Sequence, residues 1–162
     1  MSGIEVAGAR GQIPDPDELY GRLNSIGEGS VIALNPEVVC GIDHLLSAAE
    51  HAVRAFERGT NSSSSLGLET VLYASGERQI VKALDKMGVR PGSQAVALVL
   101  FDLDPDRVIE DLGLKRDDGI LDCTRSKLRE YGIPKEELDA LPSDMAIDLV
   151  LERVAFVELI KR

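Results

Sequence analysis

The chain has 162 residues, 44% hydrophobic and 28% charged, with a formal net charge of −10. This is enough apolar chain for one domain over residues 1–162, and the acidic balance opposes non-specific nucleic-acid binding, so an RNA contact must be local and shaped, or shared with a more basic partner. Three Tyr, three Phe and no Trp exclude a broad base-stacking platform, and no apolar run reaches transmembrane length. The two cysteines, Cys40 and Cys123, lack CxxC spacing; they argue against a zinc ribbon or a disulfide scaffold and fit a reducing cytoplasm. The N-terminal MSGIEVAGARG has neither a basic start nor an apolar h-region, so it does not read as a secretory signal.

Ile4 to Ala7 alternates weakly and reads as an edge strand, after which Gly8 and Gly11 loosen the chain. Pro14 to Asp17 forms a turn into a short helix near Glu18 to Asn24, with Pro16 suited to a first helical turn. Val31 to Leu34 is a short apolar strand ended by Asn35-Pro36. Ile42, Leu45, Leu46, Ala49, Val53 and Phe56 then recur at three and four residues, the stripe of an amphipathic helix. Asp43 stands where an N-cap would, and Gly59 fits the position just past the end. His44 and His51 lie off the middle of the stripe, at a spacing unlike an i, i+4 metal pair, and read as solvated or boundary histidines.

Asn61 and Ser62 to Ser65 make a polar loop directly before Leu66, Leu68, Val71 and Leu72. Serines there cap a helix; they could also form a rim for a ligand's phosphate or ribose. Ser75-Gly76 breaks this helix after Tyr73, and Ile80, Ala83, Leu84 and Met87 make a second stripe stopped by Gly88. Arg78 and Gln79 fall in the first turn of that second helix, where a cation opposes the helix dipole. Either Arg78 pairs with Glu69 or Glu77, or the guanidinium and amide serve an anion or a nucleotide end.

QAVALVLF, residues 94–101, is a strand buried on both faces and hence central in its sheet. Asp104 caps a helix with Pro105 at its first position, and that role accounts for the Asp102/Asp104 pair. A polar turn at Arg116 to Gly119 precedes a helix through Leu128 ended by Gly132, then a short helix from Pro134 to about Leu141. Met145 to Ile160 is apolar on most sides, with Asp144, Asp148 and Glu152 as one narrow polar stripe. The sum is an α+β fold, a small mixed or antiparallel sheet flanked by several helices. The sequence has no P-loop, nucleophile elbow, HExxH or CxxC, so no catalytic residue, cofactor or metal site is expected.

Leu68-Glu69 with Leu72-Tyr73, Ser75-Gly76-Glu77-Arg78-Gln79-Ile80 with Ala83 and Gly88, and the closing Leu151-Glu152-Arg153-Val154-Ala155 resemble the smallest auxiliary subunit of the KEOPS complex, the PRPK-binding protein family. The resemblance covers about Val31 to Leu159. It implies a mixed α/β domain and a non-catalytic regulatory subunit. Such a subunit docks on the small atypical kinase/ATPase subunit of the tRNA threonylcarbamoyl-adenosine modification complex and helps recruit tRNA through its 3′ CCA end. It implies a cytoplasmic protein, tRNA as a partner and no membrane. On this reading Asn61, Ser62, Arg78 and Gln79 contribute to the RNA contact, while the kinase-docking face stays unassigned. The competing readings are a small ligand-binding or enzymatic domain with a pocket near Ser62 and Arg78, and an adaptor without RNA contact.

Overall fold

The computed structural model describes residues 3–161; Met1, Ser2 and Arg162 lie outside the described residues. In chain order the first elements are β1 (Ile4–Arg10), α1 (Pro16–Gly27), β2 (Val31–Leu34), α2 (Ile42–Arg58), α3 (Leu66–Ser75) and α4 (Ile80–Met87). They are followed by β3 (Ala95–Phe101), α5 (Pro105–Asp111), β4 (Lys115–Arg116), α6 (Arg125–Tyr131), α7 (Lys135–Asp139) and α8 (Ala146–Ile160). The four strands form an antiparallel sheet in the order β2-β3-β1-β4.

The architecture follows from the two-residue period of β3. Ala97, Val99 and Phe101 face a core shared with Val6, Ile32 and Leu34 and closed by α2, α3, α6 and α8. Val96, Leu98 and Leu100 face a second core with Ala7, Ala9, Val31 and Ala33, covered by α1 and α5. The continuous apolar run is therefore the central strand of an α+β domain with helices on both faces of the sheet.

β1 is longer than its sequence pattern suggests and is an interior strand, not an edge. It pairs with β3 from Ile4↔Phe101 to Arg10↔Ala95 and touches β4 at Ala9 and Arg10. Gly8 sits inside it and does not loosen the chain. A Cβ there would lie 2.4 Å from the Asp117 carbonyl oxygen, so only glycine lets the 117–118 backbone close on the sheet. The Gly8 N–H donates to Asp118 Oδ1 at 2.9 Å, and the Asp117 N–H donates to the Gly8 carbonyl at 2.8 Å.

Three further expectations are corrected. α2 begins at Ile42 with Gly41 at its cap (φ 91°), so Asp43 lies in the first turn and acts on the helix dipole instead of capping. His44 is fully buried, not solvated. α2 packs against both α3 and α8, which buries more of it than one stripe. Cys40 and Cys123 are joined in a disulfide across 83 residues of chain, between the approach to α2 and the approach to α6. Local spacing excludes only local motifs; this pairing is made by the fold.

The last helix keeps its predicted polar stripe. Ala146, Val150, Val154 and Val157 of α8 are buried. The exposed stripe of Asp148 and Glu152 then continues as Ala155, Phe156 and Leu159, with Phe156 at 54% and Leu159 at 70% exposure. The helix is open along one side.

His44 Nδ1 accepts the Cys40 N–H at 3.0 Å and Nε2–H donates to the Ala74 carbonyl at 2.8 Å, which fixes a neutral tautomer. Burial lowers its pKa from 6.5 to about 4. Between these values the unfolded chain binds the proton and the folded one does not, so stability falls as pH drops through that window. Urea denaturation should show a loss on the order of 3 kcal/mol between pH 7 and pH 4 from this group. His44→Gln should flatten that segment of the pH profile.

Candidate functional site

The candidate residues are positioned by α3, which is buried along almost its whole length. Ser65 caps it, its Oγ accepting the Leu68 N–H at 3.2 Å. One turn in, Glu69 is wholly buried in a helix with no other charged residue. Its Oε1 accepts the Ser63 N–H at 2.8 Å, and both carboxylate oxygens accept the Ser62 N–H, at 3.1 and 3.2 Å. Oε2 also accepts from Lys161 Nζ at 2.7 Å, with 4% of the lysine side chain exposed.

The serine loop is therefore wrapped around an internal carboxylate. Its Ser62 and Ser63 amides are already used and do not form a cradle for an external anion. The exposed residues of the loop are Asn61, Ser62 and Ser64; Asn61 Nδ2 donates to the Ser63 carbonyl at 3.0 Å. Lys161 also lies 4.7 Å from the centre of the Tyr73 ring. The Tyr73 hydroxyl donates to Glu158 Oε1 at 2.9 Å, and the His51 ring stacks on Tyr73 at 5.1 Å. Burial, and then the hydrogen bond to Glu158, push the Tyr73 phenol well above its usual range. The two ends of the chain segment 61–161 are thus tied together under α3.

A second polar group lies at the other end of α3. The helix runs past Tyr73 to Ser75, and Gly76 ends it in the left-handed conformation (φ 74°). The positive φ favours glycine at 76, and a Cβ there would be tight against Tyr131 Oη at 3.1 Å and Arg153 Cβ at 3.3 Å. Ser75 Oγ accepts the Glu77 N–H at 3.0 Å. Lys86 Nζ donates to the Ser75 carbonyl at 2.7 Å, stands 3.7 Å from the Tyr131 ring centre and 3.8 Å from Glu77. Burial lowers the Lys86 pKa to about 8, with Glu77 acting against that. These contacts frame a cleft of about 470 Å³ lined by Gly76, Glu77, Lys86, Arg153 and Phe156 among others.

Arg78 and Gln79 follow this turn and are both exposed. α4 begins only at Ile80, with Gln79 at its cap, so the pair precedes the helix instead of forming its first turn. Among the described residues no carboxylate pairs with Arg78: Glu69 is held by Lys161 and Glu77 by Lys86. The surface-pair explanation of Arg78 is not realised.

The structure brings Asn61 beside Ser62, and Arg78 beside Gln79, but it does not join the two pairs. The ten residues of α3 separate them by about 15 Å along the helix axis. The cleft of about 330 Å³ near the serine loop is lined by Ser64 and Ser65 with Tyr20, Leu68 and Leu84. Neither this cleft nor the one at Gly76 includes Ser62 or Arg78 in its lining, so a single pocket shared by those two residues is not formed there. Glu69, Lys86 and Lys161 went unrecognised as organising residues. The available signal was a carboxylate in an apolar helix, which requires a buried cation or several N–H donors.

This is a small α+β domain with exposed polar turns and an open apolar helix face, the layout of a protein-binding module. The chain belongs to the family described as "Kinase binding protein CGI-121", whose model matches residues 13–154. It is similar to the "Regulatory protein Cgi121" of Methanocaldococcus jannaschii, with 30% identity over 129 residues, 79% of this chain and 83% of that protein. This is the family that the Ser75 to Ile80 and Leu151 to Ala155 motifs resemble.

Lys161→Met strands a buried carboxylate and should destabilise the domain by about 3–5 kcal/mol in chemical denaturation. Glu69→Gln with Lys161→Met should recover part of that loss, because no bare charge is left buried. A double-mutant cycle measures the coupling directly.

Proposed function

We propose that this protein is a non-catalytic regulatory subunit of the KEOPS tRNA threonylcarbamoyl-adenosine modification complex, acting as one cytoplasmic domain. It binds the small atypical kinase/ATPase subunit and helps recruit tRNA through the 3′ CCA end. The observation that carries the reading is the match to a kinase-binding family over residues 13–154, together with the open side of α8. Kinase binding needs a surface that water leaves on association. Phe156 and Leu159 supply one at 54% and 70% exposure, on the side of α8 opposite the buried Val150, Val154 and Val157. We assign the docking contact to Ala155, Phe156 and Leu159.

The RNA contact is assigned to Arg78 and Gln79, with Asn61 and Ser62 as a second patch beyond α3. Phe156 shares a cleft with Gly76 and Glu77, so the docking face adjoins the turn that leads to Arg78. A domain of net charge −10 attracts RNA poorly by itself. A partner seated on α8 can place its own cations next to Arg78, and the RNA end then meets one continuous basic surface. Arg78 contributes a forked donor for phosphate or base edges, and Gln79 contributes an amide able to read a base. Among the described residues no helix is long and apolar enough to cross a membrane.

Phe156→Asp with Leu159→Asp should weaken capture by the kinase/ATPase subunit at least about tenfold while leaving the melting temperature nearly unchanged. Retained capture moves the docking face elsewhere. In the assembled complex, Arg78→Ala should weaken binding of tRNA carrying CCA by about 1 kcal/mol or more and lower the salt slope by about one. Unchanged affinity and unchanged dependence on CCA would remove Arg78 from the contact.

A further inference from the structure

The disulfide has a consequence beyond stapling. Cys40 is 1% exposed, whereas Cys123 is an exposed residue at the rim of a cleft of about 360 Å³ that also holds Arg125, Leu128 and Ile147. Each half of the bond leads to the same atom. From Cys40, the backbone N–H is bound by His44 Nδ1, and His44 Nε2–H donates to the Ala74 carbonyl at 2.8 Å. From Cys123, the chain enters α6 at its Thr124 cap, and the last residue of α6, Tyr131, donates its hydroxyl to that Ala74 carbonyl at 2.8 Å. Lys86 sits over the Tyr131 ring and grips the next carbonyl, that of Ser75. The disulfide, His44, Ala74, Tyr131 and α6 thus close a ring. Its far side carries the Ser75–Gly76–Glu77 turn that precedes Arg78 and Gln79.

We propose that Cys123 is a thiol–disulfide exchange site and that opening the Cys40–Cys123 bond loosens the Ser75 to Gln79 turn. A dithiol reductant acts through its thiolate on Cys123 Sγ and expels Cys40 as a thiolate, which takes a proton. The second thiol of the reductant then displaces Cys123 from the mixed disulfide. Two electrons and two protons pass to the protein, and the reductant leaves as a disulfide. In the reduced form α6 is no longer tied covalently to the approach to α2. The two hydrogen bonds on Ala74 must then hold the turn without that constraint. Loosening of the turn is read on its own amides and needs no RNA.

Amide exchange on the full chain, oxidised and then reduced with dithiothreitol, tests it. The reporting amides are Gly76, bound to the Tyr73 carbonyl, and Glu77, bound to Ser75 Oγ. The control is Ser63, bound to Glu69 at the other end of α3. Reduction should accelerate exchange at Gly76 and Glu77 about tenfold or more and leave Ser63 within about twofold, consistent with sub-global opening. The melting temperature should fall by about 10 °C. Cys40→Ala with Cys123→Ala should match the reduced protein; if that variant does not fold, the reduced natural chain still gives the answer. Equal exchange at Gly76 and Glu77 in both forms overturns the proposal. So does an equal acceleration at Ser63, which would make the bond a global staple, or two titratable thiols in protein purified without reductant.

Discussion

One buried carboxylate organises the surroundings of α3. Glu69 lies in the interior on a helix with no other charged residue, and a bare charge there is not tolerated. Its oxygens draw in two backbone amides from the serine loop and an ammonium from the last turn of chain. This single requirement fixes the loop before α3, the end of α8 and their mutual position. The ion pair by itself is weak evidence for net stability, since desolvation offsets much of its attraction. Its effect is on shape: the loop has one conformation in which Glu69 is satisfied.

α3 then transmits that order to its other end. Its last turn delivers the Ala74 and Ser75 carbonyls to His44, Tyr131 and Lys86, and Gly76 makes the reversal that the neighbouring Tyr131 and Arg153 leave room for. The exposed Arg78 and Gln79 follow directly. An exposed pair of side chains is thus carried on a turn whose backbone is held by three side chains from three different elements. Long side chains on a rigid base suit the RNA contact proposed for this pair, because little backbone entropy would be lost on binding.

Much of the frame was legible in the sequence. The run from Gln94 to Phe101 announced a central strand, Asp104-Pro105 a helix start, and Gly59, Gly76, Gly88 and Gly132 the helix ends, because each of these signals is local. What failed was tertiary. β1 looked like an edge because its middle, Ala7-Gly8-Ala9, is small and alternates weakly, yet Gly8 must be small to admit the loop at Asp117. His44 looked like a surface residue because a single stripe cannot show that α2 is contacted on two sides. The disulfide joins residues 83 apart, which spacing rules do not reach. At the site, Arg78 stood out because it opposed a helix dipole. The reason proved different, since α4 starts two residues later, but the residue did remain without an intramolecular partner among the described residues.

The central claim is a division of labour: α8 for the kinase and the Arg78 turn, with the Asn61–Ser62 patch, for RNA. A hydrogen-exchange footprint of the chain alone, with the kinase/ATPase subunit, and with that subunit and tRNA measures it most directly. Added kinase subunit should protect amides around Phe156 to Leu159, and added tRNA should further protect residues 76–80 and 61–63 only when the CCA end is present. Protection by the kinase subunit confined to surfaces away from α8, or tRNA protection that ignores the CCA end, would contradict it.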